Sequence, residues 1–213
     1  MSALENVSLE VEAGDFVALV GRSGCGKSTL LNLCGAMDFP TSGDVVLGGE
    51  TTTRLNDTGL TRLRREKVGF VFQSFQLLNT LTAVENVELP LMLARKRDVR
   101  RAALERLRWV EMEAYAHRLP HQLSGGQQQR IAIARALVHT PQLVLADEPT
   151  GNLDTATGEM VLELLQRTAR EFKVAIVMAT HSAESAAVVD RVIRMRDGRL
   201  QDTMLQDTMG PLG

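Results

Sequence analysis

Short apolar runs, each bounded by polar or turn residues, alternate along the chain with longer stretches of helical period. The runs are FVALV (16–20), VGFVF (68–72), LVLA (143–146) and VAIVMA (174–179). Uninterrupted apolar strands separated by helices predict a mostly parallel sheet covered on both faces, an α/β architecture. Each run ends in polar residues: a glycine-rich loop with Lys27 after the first, then Gln73, then Asp147 and Glu148, then Thr180 and His181. In an open parallel sheet, ligands bind beyond the carboxyl ends of the strands, so these residues are expected at one edge. VSLEVE (7–12) and DVVLG (44–48) read as edge strands, and VIRMRDGRLQD (192–202) as a strand, an Asp-Gly turn and a second strand. Together they predict a small antiparallel β layer. From about 76 to 140 the pattern turns helical, with AVENVELPLMLARK kinked at Pro90, VRRAALERLRWVEMEAYAH, and a helix after the glycine pair 125–126. We read this as a helical lobe inserted in one domain spanning 1–213. LQDTM occurs at 200–204 and again at 205–209; two copies of five residues cannot build a solenoid and read as terminal decoration.

Composition narrows the classes without choosing one. The chain has 213 residues, 44% of them apolar, and a formal charge of −2. That is enough for a core, and it gives no basic field of the kind that holds nucleic acid. The longest apolar runs are about a third of the roughly 18 residues a membrane span needs, and no signal-like amino terminus is present. Two cysteines, Cys25 and Cys34, are too few for a disulfide framework and fit a reducing cytosol.

Phosphate chemistry enters with GRSGCGKST (21–29), which has the G-x-x-x-x-G-K-[ST] spacing directly after one predicted strand and before the apolar helix TLLNLCGAM. Gly21, Gly24 and Gly26 permit a tight path through Arg22, Ser23 and Cys25 that aims successive N–H groups at phosphate oxygens. Lys27 is placed for β and γ phosphates, Ser28 for Mg²⁺, and Thr29 for the α phosphate. In LVLADE, Asp147 can hold the Mg²⁺ and Glu148 can polarise an attacking water. A second loop, QLSGGQQQR (122–130), places Ser124 as N-cap of a helix that ends before Pro141. From the residues alone it reads first as an ordinary capped helix, with a second anion-binding amino terminus as the alternative.

In order and over nearly the whole chain, GRSGCGKST, Gln73, LSGGQ (123–127), LVLADE and His181 resemble the ATP-binding subunit of ABC transporters, a P-loop NTPase fold. The resemblance implies that the LSGGQ loop of one chain, Ser124, Gly125, Gly126 and Gln127, closes on ATP held by a second copy. The dimer would be two-fold and isologous, with two ATP molecules at its seam. Glu148 would be the general base. His181 would contact the γ phosphate, and Gln73 would sense Mg²⁺ and the attacking water while linking the site to the helical lobe. Ser124 and Gly126 would reach the γ phosphate in trans, and Asp154 of GNLD would cross the seam, besides serving as N-cap for 155–172. The family's usual adenine-stacking aromatic lies upstream of ALENVSLEV and has no match in this sequence; Trp109 and Tyr115, in the helical lobe, are no substitute for it.

Within the family, TAVENVELPLMLA, ADEPTGNLD and MATHS look most similar to the lipoprotein-release and macrolide-exporter group. That likeness implies a separate transmembrane permease, docked near 74–93, and a peripheral position on the cytoplasmic face of the inner membrane. It also implies that ATP powers export or extraction. RKRDVRR (95–101) would face lipid headgroups or an acidic permease loop, or be a solvated helix start. The alternative function is a signalling complex that activates a periplasmic hydrolase through its membrane partner. A chromosome-associated ATPase with the same motifs would split them around a long coiled coil, and no sustained heptads separate Lys27 from LSGGQ.

Overall fold

Phe16, Ala18 and their neighbours Val17 and Leu19 are all fully buried, because the strand they form is covered on both faces. In the computed structural model, which describes residues 3–182 and 188–205, this strand is β1 (Phe16–Val20). It lies inside a six-stranded sheet with β4 (Val68–Phe72), β5 (Leu143–Asp147), β6 (Ala175–Thr180), β7 (Arg191–Arg196) and β8 (Arg199–Leu205). The strand order is β4-β5-β6-β1-β7-β8. Every pairing from β4 to β7 is parallel; β8 returns antiparallel to β7 through the Asp197-Gly198 turn, both in left-handed conformations. The four apolar runs are thus all strands, and 192–202 is the expected strand pair.

Strand alternation splits the core in two. Phe16, Ala18, Ala146, Ile176 and Met178 face a cluster completed by α3 (Ala83–Leu93), α4 (Val99–Trp109), α5 (Gly125–Leu137) and α6 (Thr155–Phe172). Val17, Leu19, Leu145, Val177 and Ala179 face the other, completed by α1 (Lys27–Cys34) and α2 (Asp57–Lys67). The helices between β4 and β5 pack on one another and, through α5, on β4. Their apolar side chains are continuous with those of the sheet, so this helical segment has no core of its own.

Three local expectations change. VSLEVE is not a strand: Val7, Leu9 and Val11 do turn inward against the second core, but no neighbouring strand among the described residues offers a ladder. DVVLG contributes only β2 (Val46–Leu47), which pairs with β3 (Glu50–Thr51) around Gly48 and Gly49. Both glycines have positive φ, as the tight primed hairpin turn requires. The helix expected over 99–117 stops at Trp109. Glu111 adopts φ 62°, the Met112 N–H bonds the Leu107 carbonyl at 2.8 Å, and Met112 is buried in the first core. This is the turn by which helices end in a left-handed residue with an apolar residue behind it.

Pro90 lies inside α3, which continues to Leu93. The helix is started by a reciprocal Thr82–Glu85 cap. Buried Asn86 bonds the backbone at Leu78, Leu81 and Thr82 and fixes the loop that enters it. No helix among the described residues is long and apolar enough to cross a membrane. The first LQDTM copy (200–204) is part of β8 and so is not decoration, and 206–209 of the second lie outside the described residues.

Candidate functional site

Strand register assembles the site. Val20 is opposite Thr180, Asp147 is opposite Ala179, and Phe72 is opposite Asp147, so the segments leaving β1, β4, β5 and β6 emerge along one edge. Lys27, Gln73, Asp147, Glu148 and His181 all lie on those exits.

The first loop is shaped by close approach. A Cβ at Gly21 would sit 2.3 Å from the Met195 carbonyl and 2.6 Å from Cys25 Sγ, while Gly24 and Gly26 take φ values of 78° and 105°. Any side chain at Gly21 would push the loop off β7. Cys25 is buried as filler beneath the loop, and Arg22, Ser23 and Gly24 are exposed. Helix α1 begins at Lys27 with Gly26 as its cap, and no side chain among the described residues caps it. An uncapped helix amino terminus with open amides is suited to an anion. Lys27 is itself buried, and its Nζ donates to the Gly21 carbonyl at 2.6 Å and the Arg22 carbonyl at 3.2 Å. The ammonium is thereby held inside the loop's curve.

Ser28 Oγ donates to Asp147 Oδ2 at 3.4 Å across the gap between α1 and β5. Burial raises the Asp147 carboxyl above its ordinary range; the Ser28 bond and Lys27 oppose this, and Glu148 adds to it. No cluster of three or more His, Cys, Asp or Glu that could hold a metal occurs among the described residues. One hydroxyl and one carboxylate are hard oxygen donors too few for a protein cage. They suit Mg²⁺, which takes one or two protein ligands and completes its shell with phosphate and water.

Glu148 comes next, with φ 47°, a left-handed conformation that is costly for a residue with a Cβ. The turn is closed by Glu148 N–H to the Ala179 carbonyl at 2.9 Å and Gly151 N–H to the Glu148 carbonyl at 3.0 Å. His181 Nδ1 lies 2.9 Å from Glu148 Oε1. The Gln73 amide is turned to Asn152: its Nε2 donates to Asn152 Oδ1 at 3.0 Å, and Asn152 Nδ2 donates to the Gln73 carbonyl at 3.1 Å. Gln73 is thus tied to the GNLD segment.

Ser124 caps α5. Its Oγ accepts from Gln127 N–H at 3.3 Å, and Gln127 Oε1 accepts from Ser124 N–H at 2.9 Å. Gly125 and Gly126 form the first turn, not a loose entry to it. Cβ atoms there would meet Leu153, Phe75 and, at 2.3 Å, Thr157 Cγ2. The LSGGQ loop therefore packs on the Gln73 and GNLD segments of its own chain. Asp154 caps α6, accepting from Thr157 N–H at 3.0 Å and Thr157 Oγ1 at 2.7 Å, which holds its carboxyl below the usual range.

Two supporting side chains are given no role by the sequence, although Gln129 lies within QLSGGQQQR. Arg135 of α5 donates to the Gln76 carbonyl at 2.6 Å and the Phe75 carbonyl at 3.0 Å, gripping two consecutive left-handed residues after Gln73. Gln129 of α5 is fully buried and donates to the Pro149 carbonyl at 2.6 Å. A polar residue in the apolar stripe with Ile133 and Ala136 is the available signal for Gln129.

Comparisons with known proteins identify the family. The family model described as ABC transporter matches residues 4–151. The chain belongs to the ABC transporter ATP-binding family and is an ATPase. It is 47% identical over 205 residues to the ABC transporter ATP-binding protein MJ0796 of Methanocaldococcus jannaschii, covering 93% of this chain and 87% of that one. It is 45% identical over 210 residues to the macrolide export ATP-binding/permease protein MacB of Rhodopirellula baltica, covering 97% of this chain and 31% of that protein. Among solved structures, the dimeric post-hydrolysis state of the cassette MJ0796 bound to ADP and Pi superposes with a TM-score of 0.86 at 44% identity, covering 97% of this chain and 92% of the other. These relatives support the lipoprotein-release and macrolide-exporter group.

Proposed function

We propose that two copies of this chain close as a two-fold dimer on two MgATP molecules and that their hydrolysis drives export or extraction through a separate transmembrane permease. The observation that carries the reading is the convergence of Lys27, Ser28, Asp147, Glu148 and His181 at one sheet edge, beside a capped helix whose LSGGQ turn presents its amino terminus.

Loop amides and Lys27 hold the β and γ phosphates. Ser28 and Asp147 hold Mg²⁺, which when bound offsets phosphate charge. Glu148 accepts the proton of the attacking water as its oxygen bonds the γ phosphorus. The bond to the β–γ bridging oxygen breaks, and its electron pair leaves with ADP. His181 orients Glu148 through Nδ1 and meets the γ phosphate through its other edge. Gln73 and Asn152 relay the state of the site to the helical segment. Gly125, Gly126 and Gln127 offer backbone amides, and Ser124 its hydroxyl, to the partner copy's nucleotide, while Asp154 meets the seam. A relative named as a macrolide export ATP-binding/permease protein supports the export direction; docking on a permease would hold the chain peripherally at the cytoplasmic face of the membrane.

Glu148→Gln tests the chemistry. It should bind ATP, form a dimer in light scattering, and lose on the order of 10²–10⁴ in turnover. A monomer with ATP, or wild-type turnover, would overturn the proposal. Crosslinking the wild-type chain in native membranes should capture a permease; capture of a periplasmic-hydrolase activator would instead favour signalling.

A further inference from the structure

Pro149 begins the turn after Glu148, and its carbonyl accepts a 2.6 Å hydrogen bond from Gln129 Nε2. The donor stands on α5, five residues beyond Ser124, with no solvent exposure. Its other amide atom, Oε1, is buried and has no partner among the described residues. A primary amide kept in an apolar core with its oxygen unpaired is a poor choice for stability, since an unsatisfied buried oxygen costs free energy. The amide does secure the backbone beside a residue in an unfavourable conformation, Glu148 at φ 47°. The backbone bonds of Glu148 itself run to Ala179 on the adjacent strand and to Gly151 within the turn.

We infer that Gln129 is a positioning residue for Glu148: through the Pro149 carbonyl it fixes the turn that aims the carboxylate, and it joins that turn to the helix carrying the LSGGQ motif. The inference rests on Glu148 being the base. It goes further in giving the LSGGQ helix a hold on its own chain's catalytic turn, so that engagement of Ser124 by a partner's nucleotide reaches Glu148 through about one and a half helical turns of rigid backbone.

Gln129→Met separates positioning from packing, because methionine conserves volume and removes the unpaired oxygen along with the donor. The variant should melt at the wild-type temperature and keep KM for MgATP within about twofold. Its kcat should fall on the order of 10- to 100-fold, the scale of a small misplacement of a reacting group. Gln129→Leu should behave alike. In the Glu148→Gln background, where no carboxylate remains to be aimed, Gln129→Met should leave ATP-dependent dimer formation unchanged. A variant that unfolds or melts several degrees lower would make Gln129 a structural residue, and unchanged kcat would remove it from the mechanism; either overturns the proposal. Normal dimer formation but undiminished hydrolysis in the single Glu148→Gln variant would overturn the base assignment instead, which keeps the two failures apart.

Discussion

His181 Nδ1 donates to Glu148 Oε1 at 2.9 Å, joining the residues that leave the adjacent strands β6 and β5. The histidine side chain is 69% exposed and the glutamate 19%, so the contact is open on the imidazole side and sheltered on the carboxylate side. An exposed pair of this kind contributes about 0–1 kcal/mol to stability. In the proposed mechanism its use lies in orientation. His181→Ala should leave the melting temperature within a degree or two and lower phosphate release by on the order of 10²–10³, the scale for loss of a preorganised transition-state donor. Steady-state release with a parallel thermal melt checks both parts.

If Asp147 holds Mg²⁺ as proposed, the magnesium requirement should depend on pH. Burial raises its carboxyl above the ordinary 3.8, so the folded chain keeps this proton to higher pH than the unfolded chain does. For stability the sign is unfavourable to ionisation: the group's contribution declines as pH rises through its unfolded value and levels off above the folded one. For metal holding the sign reverses, because a ligating carboxylate must be ionised. The Mg²⁺ concentration for half-maximal turnover should rise as pH falls through the raised value, by about tenfold per unit below it. Asp147→Asn should abolish that dependence along with most activity. Magnesium titrations from neutral to mildly acidic pH decide it.

Sequence pattern was most informative where one physical demand acts alone. A strand covered on both faces must be apolar throughout, and FVALV, VGFVF, LVLA and VAIVMA are all strands for that reason. VSLEVE has the alternation of a half-buried strand, and its apolar residues do face inward, but a ladder needs a neighbour that local pattern cannot supply. Likewise 99–117 has helical period to its end; it breaks at Glu111 because Met112 gains more by turning into the core. In the site, the glycine-rich loop and the DE pair announce themselves by composition. The Gln129–Pro149 and Arg135–Phe75 contacts do not, since each joins a helix to a separate loop whose path is set by a left-handed residue, Glu148 before Pro149 in one and Phe75 itself in the other.

Gly126 is required by contact. A Cβ there would stand 2.3 Å from Thr157 Cγ2, and Thr157 cannot swing aside freely because its hydroxyl is bonded to Asp154. Gly126→Ala should destabilise the chain by about 1–3 kcal/mol, as overpacking does, and reduce turnover by displacing the first turn of α5. Thr157→Ser removes the offending methyl and keeps the hydroxyl, so the double variant should recover most of the lost stability. Denaturant melts of the two singles and the double measure the coupling; strict additivity would show that the clash is relieved elsewhere.

Ser124 has an observed role and a proposed one, which one substitution confounds and two can separate. As the cap of α5 it accepts the Gln127 N–H at 3.3 Å, and replacing such a cap with alanine costs about 1 kcal/mol. As the proposed donor to a partner's γ phosphate, it needs the hydroxyl itself. Asparagine caps helices as well as serine does but is longer and places its amide elsewhere. Ser124→Ala should therefore lose both stability and turnover. Ser124→Asn should melt like the wild type yet lose on the order of 10²–10³ in turnover, and, combined with Glu148→Gln, should form less dimer at a given ATP concentration. Turnover in Ser124→Asn close to that of the wild type would reduce Ser124 to a cap and move the trans contact to the amides of Gly125 and Gly126.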